Sequence, residues 1–236
     1  MNRWATTRPC PSPPWLFNNT LHVLVNIHIR NLITRCPALE SMLADVEAAF
    51  VMLRDCYRAG GKLLLCGNGG SASDAEHWAG ELLKGFARLR PLSGDERAGL
   101  PVEMASKLQG ALPAIPLTGF PSLATAFGND VDPSLTYAQL VWGLGKPGDV
   151  LVGISTSGNA RNVCAAMEVA RVRGLHSIGL TGAGGGRLAL LADLCLRVPA
   201  VETYRVQEYH LPIYHCLCLM LEDEFFGDSI DGDESV

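Results

Sequence analysis

The sequence predicts an α/β fold of the three-layer, doubly wound kind: a five-stranded parallel sheet preceded by an N-terminal helical segment. Two observations predict it. Five short apolar runs recur along the chain, "KLLLCG", "ALPAIPL", "DVLVGIS", "LHSIGLTG" and "DLCLRVP", and stretches of helical periodicity stand between them. Near-continuous apolar strands alternating with helices mark a parallel sheet covered on both faces.

Taken in order, residues 1–17 are polar and proline-rich and are expected to be mobile, and one domain is expected over 18–226. The stretch "LHVLVNI" is too short, and too soon followed by His28 and Arg30, to span a bilayer. From Ala38 to Tyr57 the apolar residues Leu39, Met42, Leu43, Val46, Phe50 and Leu53 recur at three and four, which predicts one amphipathic helix ended by "AGG". A helix from about Ser73 to Phe86 follows the first strand. Further helices are expected at "SLTYAQLVWGLG", at "ARNVCAAMEVARVRG", briefly near "GGRLALLA", and in a last segment running to about Phe226. The charged stretch 87–110 breaks the rhythm and reads as a surface insertion with a helical turn at "PVEMASKL". Residues 227–236 form an acidic tail, expected to be disordered.

Composition narrows the classes of function. The 236 residues are 48% hydrophobic with a net charge of -5, so the chain can bury one sizeable core and lacks the basic field that nucleic-acid binding needs. Eight cysteines contain no CxxC pair, and several lie in apolar patterns where Cys acts as a small hydrophobe. This predicts a reduced, cytoplasmic chain that binds no nucleic acid and no membrane, with a small molecule or another copy of itself as partner.

Two loops suit an anion. "GNGGSAS", residues 67–73, follows a strand and opens a helix, so its glycines let backbone N–H groups approach a phosphate at a helix N-terminus. "STSGN", residues 155–159, places three hydroxyl side chains before another helix. Neither loop contains GxxxxGK[ST] or GxGxxG, which removes the main support for nucleoside triphosphate or dinucleotide binding. Phosphate held by hydroxyls and backbone suits a phosphosugar. The candidates are Asn68, Gly69, Gly70, Ser71, Ser155, Thr156, Ser157 and Asn159, with Asn129, Asp130 and Gln207 as further substrate contacts. An ordinary N-cap is the competing reading of each loop taken alone.

His77 and Glu81 are four apart and share a helix face, a spacing that lets both reach one ion or one substrate atom and that also serves plain surface or core contacts. The last helix presents Gln207, Glu208, His210 and His215, with Pro212 in its interior. Gln207 and His215 are eight apart, about 12 Å of rise in a straight helix. To share one ion they need either a break at Pro212 or contributions from different subunits.

The motifs "CGNGGSASDAEHWAGEL", "GISTSGNARNV", "GLTGAGGGRLALLAD" and "RVQEYHLPIYH", in this order, resemble the bacterial phosphoheptose isomerases of the sugar isomerase (SIS) domain superfamily. The resemblance covers roughly Ala38 to Phe226. It implies a zinc site at His77, Glu81, Gln207 and His215, acid/base roles for Glu81 and His215, and a homotetramer with active sites at subunit interfaces. It further implies conversion of sedoheptulose 7-phosphate to a heptose 7-phosphate through an enediol, with Glu81 as the carbon base and His215 as the partner acid/base. Zinc would either polarise the carbonyl or fix these side chains.

The chain departs from the family pattern around the substrate. Ala160 stands where the phosphate loop usually has a further serine, Gly119 and Phe120 where an acidic residue is usual, Gly85 beside Lys84 where an arginine is usual, and Tyr204 where an aspartate is common. Two alternatives therefore stand beside the heptose reading: an isomerase of another phosphosugar, and a non-catalytic SIS module acting through protein contacts. His176 and His210 are expected to be structural, and the apolar face "YHCLCLML" to be core.

Overall fold

The computed structural model describes residues 27–227. The N-terminal stretch 1–17 and all of the acidic tail beyond Gly227 lie outside these residues.

Helix α1 (Ile27–Arg35) leads into a 3-10 segment (Pro37–Met42) and then α2 (Leu43–Arg58). The single helix expected from Ala38 to Tyr57 is thus two pieces. Side chains three apart eclipse one another in a 3-10 helix, and here that places Leu39 and Met42 together in the core, 1% and 3% exposed. Strand β1 (Leu63–Gly67) is followed by α3 (Gly70–Leu83), then by the one-turn helices α4 (Gly94–Arg97) and α5 (Val102–Ala105) within the expected insertion. β2 (Ala114–Pro116), α6 (Pro121–Asp130), α7 (Thr136–Leu144), β3 (Val150–Ile154), α8 (Arg161–Arg173), β4 (His176–Thr181), α9 (Leu188–Leu191), β5 (Leu194–Arg197) and α10 (Thr203–Phe226) complete the order.

The five strands are all parallel, in the order β2-β1-β3-β4-β5. Every residue of β1 and β3 is buried, which is why these runs carry no polar alternation. One face packs Leu63, Leu65, Val150 and Val152 against α1, α2, α3 and α10, and the other packs Leu64, Cys66 and Leu151 against α7, α8 and α9. The strand order reverses between β1 and β3, and the pairing of Gly67 with Ile154 brings their carboxyl ends out side by side. In open α/β sheets this switch point is where ligands bind.

The structure decides between the alternatives at Pro212 and adds to the reading of the insertion. The helix does not break at Pro212: α10 runs unbroken from Thr203 to Phe226. Glu208, whose carbonyl loses its helical donor to the proline, lies on the exposed side where water supplies one. The insertion is not only a surface excursion either. Its tips are exposed, but its root carries Arg90, 1% exposed, and closes through an antiparallel bridge between Pro91 and Gln109.

Candidate active site

At the end of β1 the backbone turns so tightly that a Cβ on Gly67 would lie 2.5 Å from the Ser71 carbonyl oxygen. Gly69, with φ +55, makes the turn that a side chain would strain, and α3 begins at the next residue, three positions earlier than its apolar periodicity predicts. The loop after β3 stands beside it. Together they form a cleft of ≈ 330 Å³ lined by residues 68–71 of the first loop, Ser155, Thr156, Ser157 and Ala160 of the second, and Thr203 and Gln207 of α10. Three helices, α3, α8 and α10, begin at this cleft, so their positive ends converge on it.

The second loop is braced from behind. Gly158 has φ +68, and a Cβ there would meet the Gly185 carbonyl oxygen at 2.0 Å. Asn159 lies outside the cleft lining and ties this loop to the segment before α9, its Nδ2 donating to the Ser157 carbonyl at 3.0 Å and its Oδ1 accepting from the Arg187 backbone N–H at 3.0 Å. Asn68 and Asn162 exchange amide hydrogen bonds of 2.9 Å, tying the first loop to α8. Asn129 and Asp130 are not among the cleft residues; they pair with each other at the end of α6, Asn129 Nδ2 donating to Asp130 Oδ1 at 2.9 Å.

A second cluster forms where α3 crosses α10. His77 Nε2 stands 3.1 Å from Glu81 Oε1, and the His77 ring meets His215 edge to face with centroids 5.1 Å apart. On its other side, His77 Nδ1 lies 3.0 Å from the Tyr214 hydroxyl, which donates to Asp74 Oδ1 at 3.3 Å. The phenolic proton goes to Asp74, which leaves the Tyr214 oxygen to face His77 Nδ1 and turns Nε2 toward the Glu81 carboxylate. His215 Nε2 is buried without a hydrogen-bond partner. Burial, and then the neighbouring His77, hold His215 below its ordinary pKa, with Glu81 pulling the other way.

These donors fit a zinc ion in chemistry: two imidazoles and a carboxylate, one imidazole oriented from behind by a hydroxyl. Among the described residues, no three His, Cys, Asp or Glu side chains are drawn together at metal-binding spacing. Gln207, the fourth candidate, is not with them. Its Nε2 would lie 2.4 Å from a Cβ on Gly70, so it sits over the loop after β1, eight residues along an unbroken helix from His215.

The sequence matches the SIS domain family over residues 28–182. A phosphoheptose isomerase from Akkermansia muciniphila is 39% identical over 80% of this chain and 90% of its own length. One from Rhodospirillum rubrum is 44% identical over 76% and 85%. The chain belongs to the phosphoheptose isomerase family. Two solved phosphoheptose isomerases superpose on it: that of Neisseria gonorrhoeae, 35% identical, with TM-score 0.67 over 84% of this chain and 97% of that one, and that of Francisella tularensis, 32% identical, with TM-score 0.68 over 84% and 96%.

As a phosphoheptose isomerase family member, the chain shows its departures in place. Ala160 lines the cleft with a methyl group. Gly85 has no room for a side chain, since a Cβ would lie 2.2 Å from the Arg88 carbonyl oxygen. Lys84 brings its ammonium 3.4 Å from Glu81 Oε2. Tyr204 is 63% exposed. Sequence reasoning missed Thr203, Asp74 and Tyr214. Asp74 had a signal, since it precedes His77 by one helical turn, whereas Tyr214 sits in an apolar stripe that reads as core.

Proposed function

We propose that this sugar phosphate isomerase converts sedoheptulose 7-phosphate to D-glycero-D-manno-heptose 7-phosphate through an enediol, with Glu81 and His215 as its acid/base pair. The observation that carries the reading is the meeting of Glu81, His77 and His215 across α3 and α10, helices that both begin at the phosphate cleft.

The cleft takes the phosphate on the backbone N–H groups of the first loop and the hydroxyls of Ser155, Thr156 and Ser157, which anchors the sugar away from its reacting carbons. Glu81 removes a proton from C1 as the C2 carbonyl oxygen gains one, which gives the enediol. The O1 hydroxyl then loses its proton and C2 receives one, leaving an aldehyde at C1 and a hydroxyl at C2. His215 manages the oxygen protons. Zinc, held by His77, Glu81, His215 and Gln207, would supply Lewis-acid polarisation of the substrate oxygens or fix these side chains.

Gln207 joins the other three from a second subunit in this reading. An unbroken helix separates it from His215 by about 12 Å, too far to share an ion within one chain. A homotetramer is the assembly we propose, and exposed apolar side chains such as Val102 at 87% and Leu89 at 84% support contacts between copies. No helix among the described residues is long and apolar enough to cross a membrane. The seven described cysteines are all free, which supports work in the reducing cytoplasm.

The test is conversion of sedoheptulose 7-phosphate by the purified chain with added zinc, beside Glu81→Gln and His215→Ala. Loss of about 100-fold or more in kcat in both variants, with folding retained, supports the assignment. Full activity in Glu81→Gln would overturn it, and no turnover by a folded, zinc-loaded wild type would point to another phosphosugar.

A further inference from the structure

The most deeply buried charged side chains among the described residues lie outside the reaction chemistry. Arg90 and Glu222 form an ion pair of 2.8 Å with side chains 0% and 1% exposed. Taking two charges out of water is costly, and such a pair persists where its remaining donors and acceptors are all used. Here they are. The guanidinium donates from Nε to Glu222, from Nη1 to the Leu82 carbonyl at 2.8 Å, and from Nη2 to the Glu81 carbonyl at 3.2 Å. The carboxylate also accepts from the backbone N–H groups of Phe86, Ala87 and Arg88 at 2.8, 2.8 and 3.1 Å. Burial would push its pKa up, but these donors and Arg90 outweigh it and hold the carboxyl below its ordinary value.

The partners' positions give the pair its meaning. The carbonyls of Glu81 and Leu82 belong to the last turn of α3, beyond the reach of its own N–H groups, and that of Leu82 also accepts from the Leu112 backbone N–H at 2.9 Å. Arg90 supplies a donor to each, so the turn that carries Glu81 is capped by a side chain 9 residues further along. Glu222 lies on α10 seven residues after His215, two turns along and on nearly the same face. The ring of Phe226 lies beneath the guanidinium, 4.6 Å from its centroid, where a side chain on Gly110 would collide with it.

We infer that Arg90 and Glu222 are positioning residues for the reaction: they fix the end of α3 against α10 and so set Glu81 opposite His215. The inference rests on the isomerase reading above. A displacement of about 1 Å between reacting groups can cost about 100-fold in rate, and neither Arg90 nor Glu222 touches the phosphate cleft, so the loss should fall on kcat and spare KM.

Arg90→Lys keeps the charge but cannot reach both carbonyls, and Glu222→Gln keeps the shape but turns an amide toward the backbone N–H groups. Assayed with sedoheptulose 7-phosphate at a temperature where circular dichroism shows them folded, both should lose about ten-fold or more in kcat with KM within about three-fold. Leu53→Ala, a fully buried change on α2, is the control for stability alone and should lower Tm while leaving kcat within about two-fold. If the clamp variants fail to fold, Phe226→Leu keeps every hydrogen bond, loosens the guanidinium, and should still lose about three-fold in kcat. Wild-type kcat in the folded variants, or a loss that Leu53→Ala reproduces, overturns the inference. An inactive wild type would instead overturn the sedoheptulose 7-phosphate reading above, and the clamp's role in that reaction with it.

Discussion

The Tyr214 hydroxyl lies 3.0 Å from His77 Nδ1, so a residue inside an apolar helix face orients a candidate metal ligand from behind. Trp78 stacks on the Tyr214 ring with centroids 5.4 Å apart at 16°, and that holds the hydroxyl in place. Beyond it, Asp74 is kept above the usual carboxylate range by burial, with the Tyr214 hydrogen bond acting against this.

Tyr214→Phe removes this support and no ligand. Zinc affinity, measured by titration of the apo-protein against a chelator, should fall by about 10- to 100-fold. Stability should fall by about 1–3 kcal/mol, since the hydroxyl's hydrogen bonds to His77 and Asp74 are both lost with the ring kept. Unchanged zinc affinity would mean that His77 needs no such partner.

Gly70→Ala tests where Gln207 sits. The added Cβ would lie 2.4 Å from Gln207 Nε2, the end of a flexible side chain, so the amide moves rather than the fold. Gly70 opens α3 without a positive φ, so alanine fits its backbone. Tm should hold or rise while KM for the phosphosugar increases several-fold, and an unchanged KM would remove Gln207 from the substrate.

Mixed assemblies test the shared site. Glu81→Gln and Gln207→Ala chains should each be inactive alone, yet regain activity when unfolded together and refolded, because some interfaces then combine an intact Glu81 with an intact Gln207. No recovery in a mixed oligomer confirmed by mass would place the whole site in one subunit.

His210 sets a pH limit on stability. Its ring is 0% exposed, and burial pulls its pKa from 6.5 down to about 4, with the Thr181 backbone acting the other way. Between these values the unfolded chain takes up a proton that the folded chain refuses. Its contribution is thus fully present above pH 6.5 and lost as pH falls to about 4, a change of roughly 3 kcal/mol. Urea unfolding of the wild type and His210→Leu at intervals across that range should show the steeper loss in the wild type. Parallel profiles would sink the assignment.

Much of this architecture was legible because its signals are local. The apolar runs of β1, β3 and β4 and the periodicity of α2 and α8 need only neighbouring residues to be read. Helix α6 escaped because none of its residues is buried, so it has no apolar stripe to announce it. The early start of α3 escaped because glycines seldom open a helix unless the turn before them demands it. Arg90 sits in a charged segment that reads as solvated, and its partner Glu222 is 132 residues away, a distance no local pattern spans.

The sequence by itself determined the family, the parallel sheet, the two glycine- and hydroxyl-rich loops and the identity of the candidate donors His77, Glu81, Gln207 and His215, since each is carried by residue type and short-range spacing. Only the tertiary structure decided which of these meet. It joined His77 and Glu81 to His215, set Gln207 over Gly70, kept α10 straight through Pro212, and buried Arg90 against Glu222. The physical reason is that side chains on different helices come together through the packing of the whole core around the sheet, which no single segment encodes.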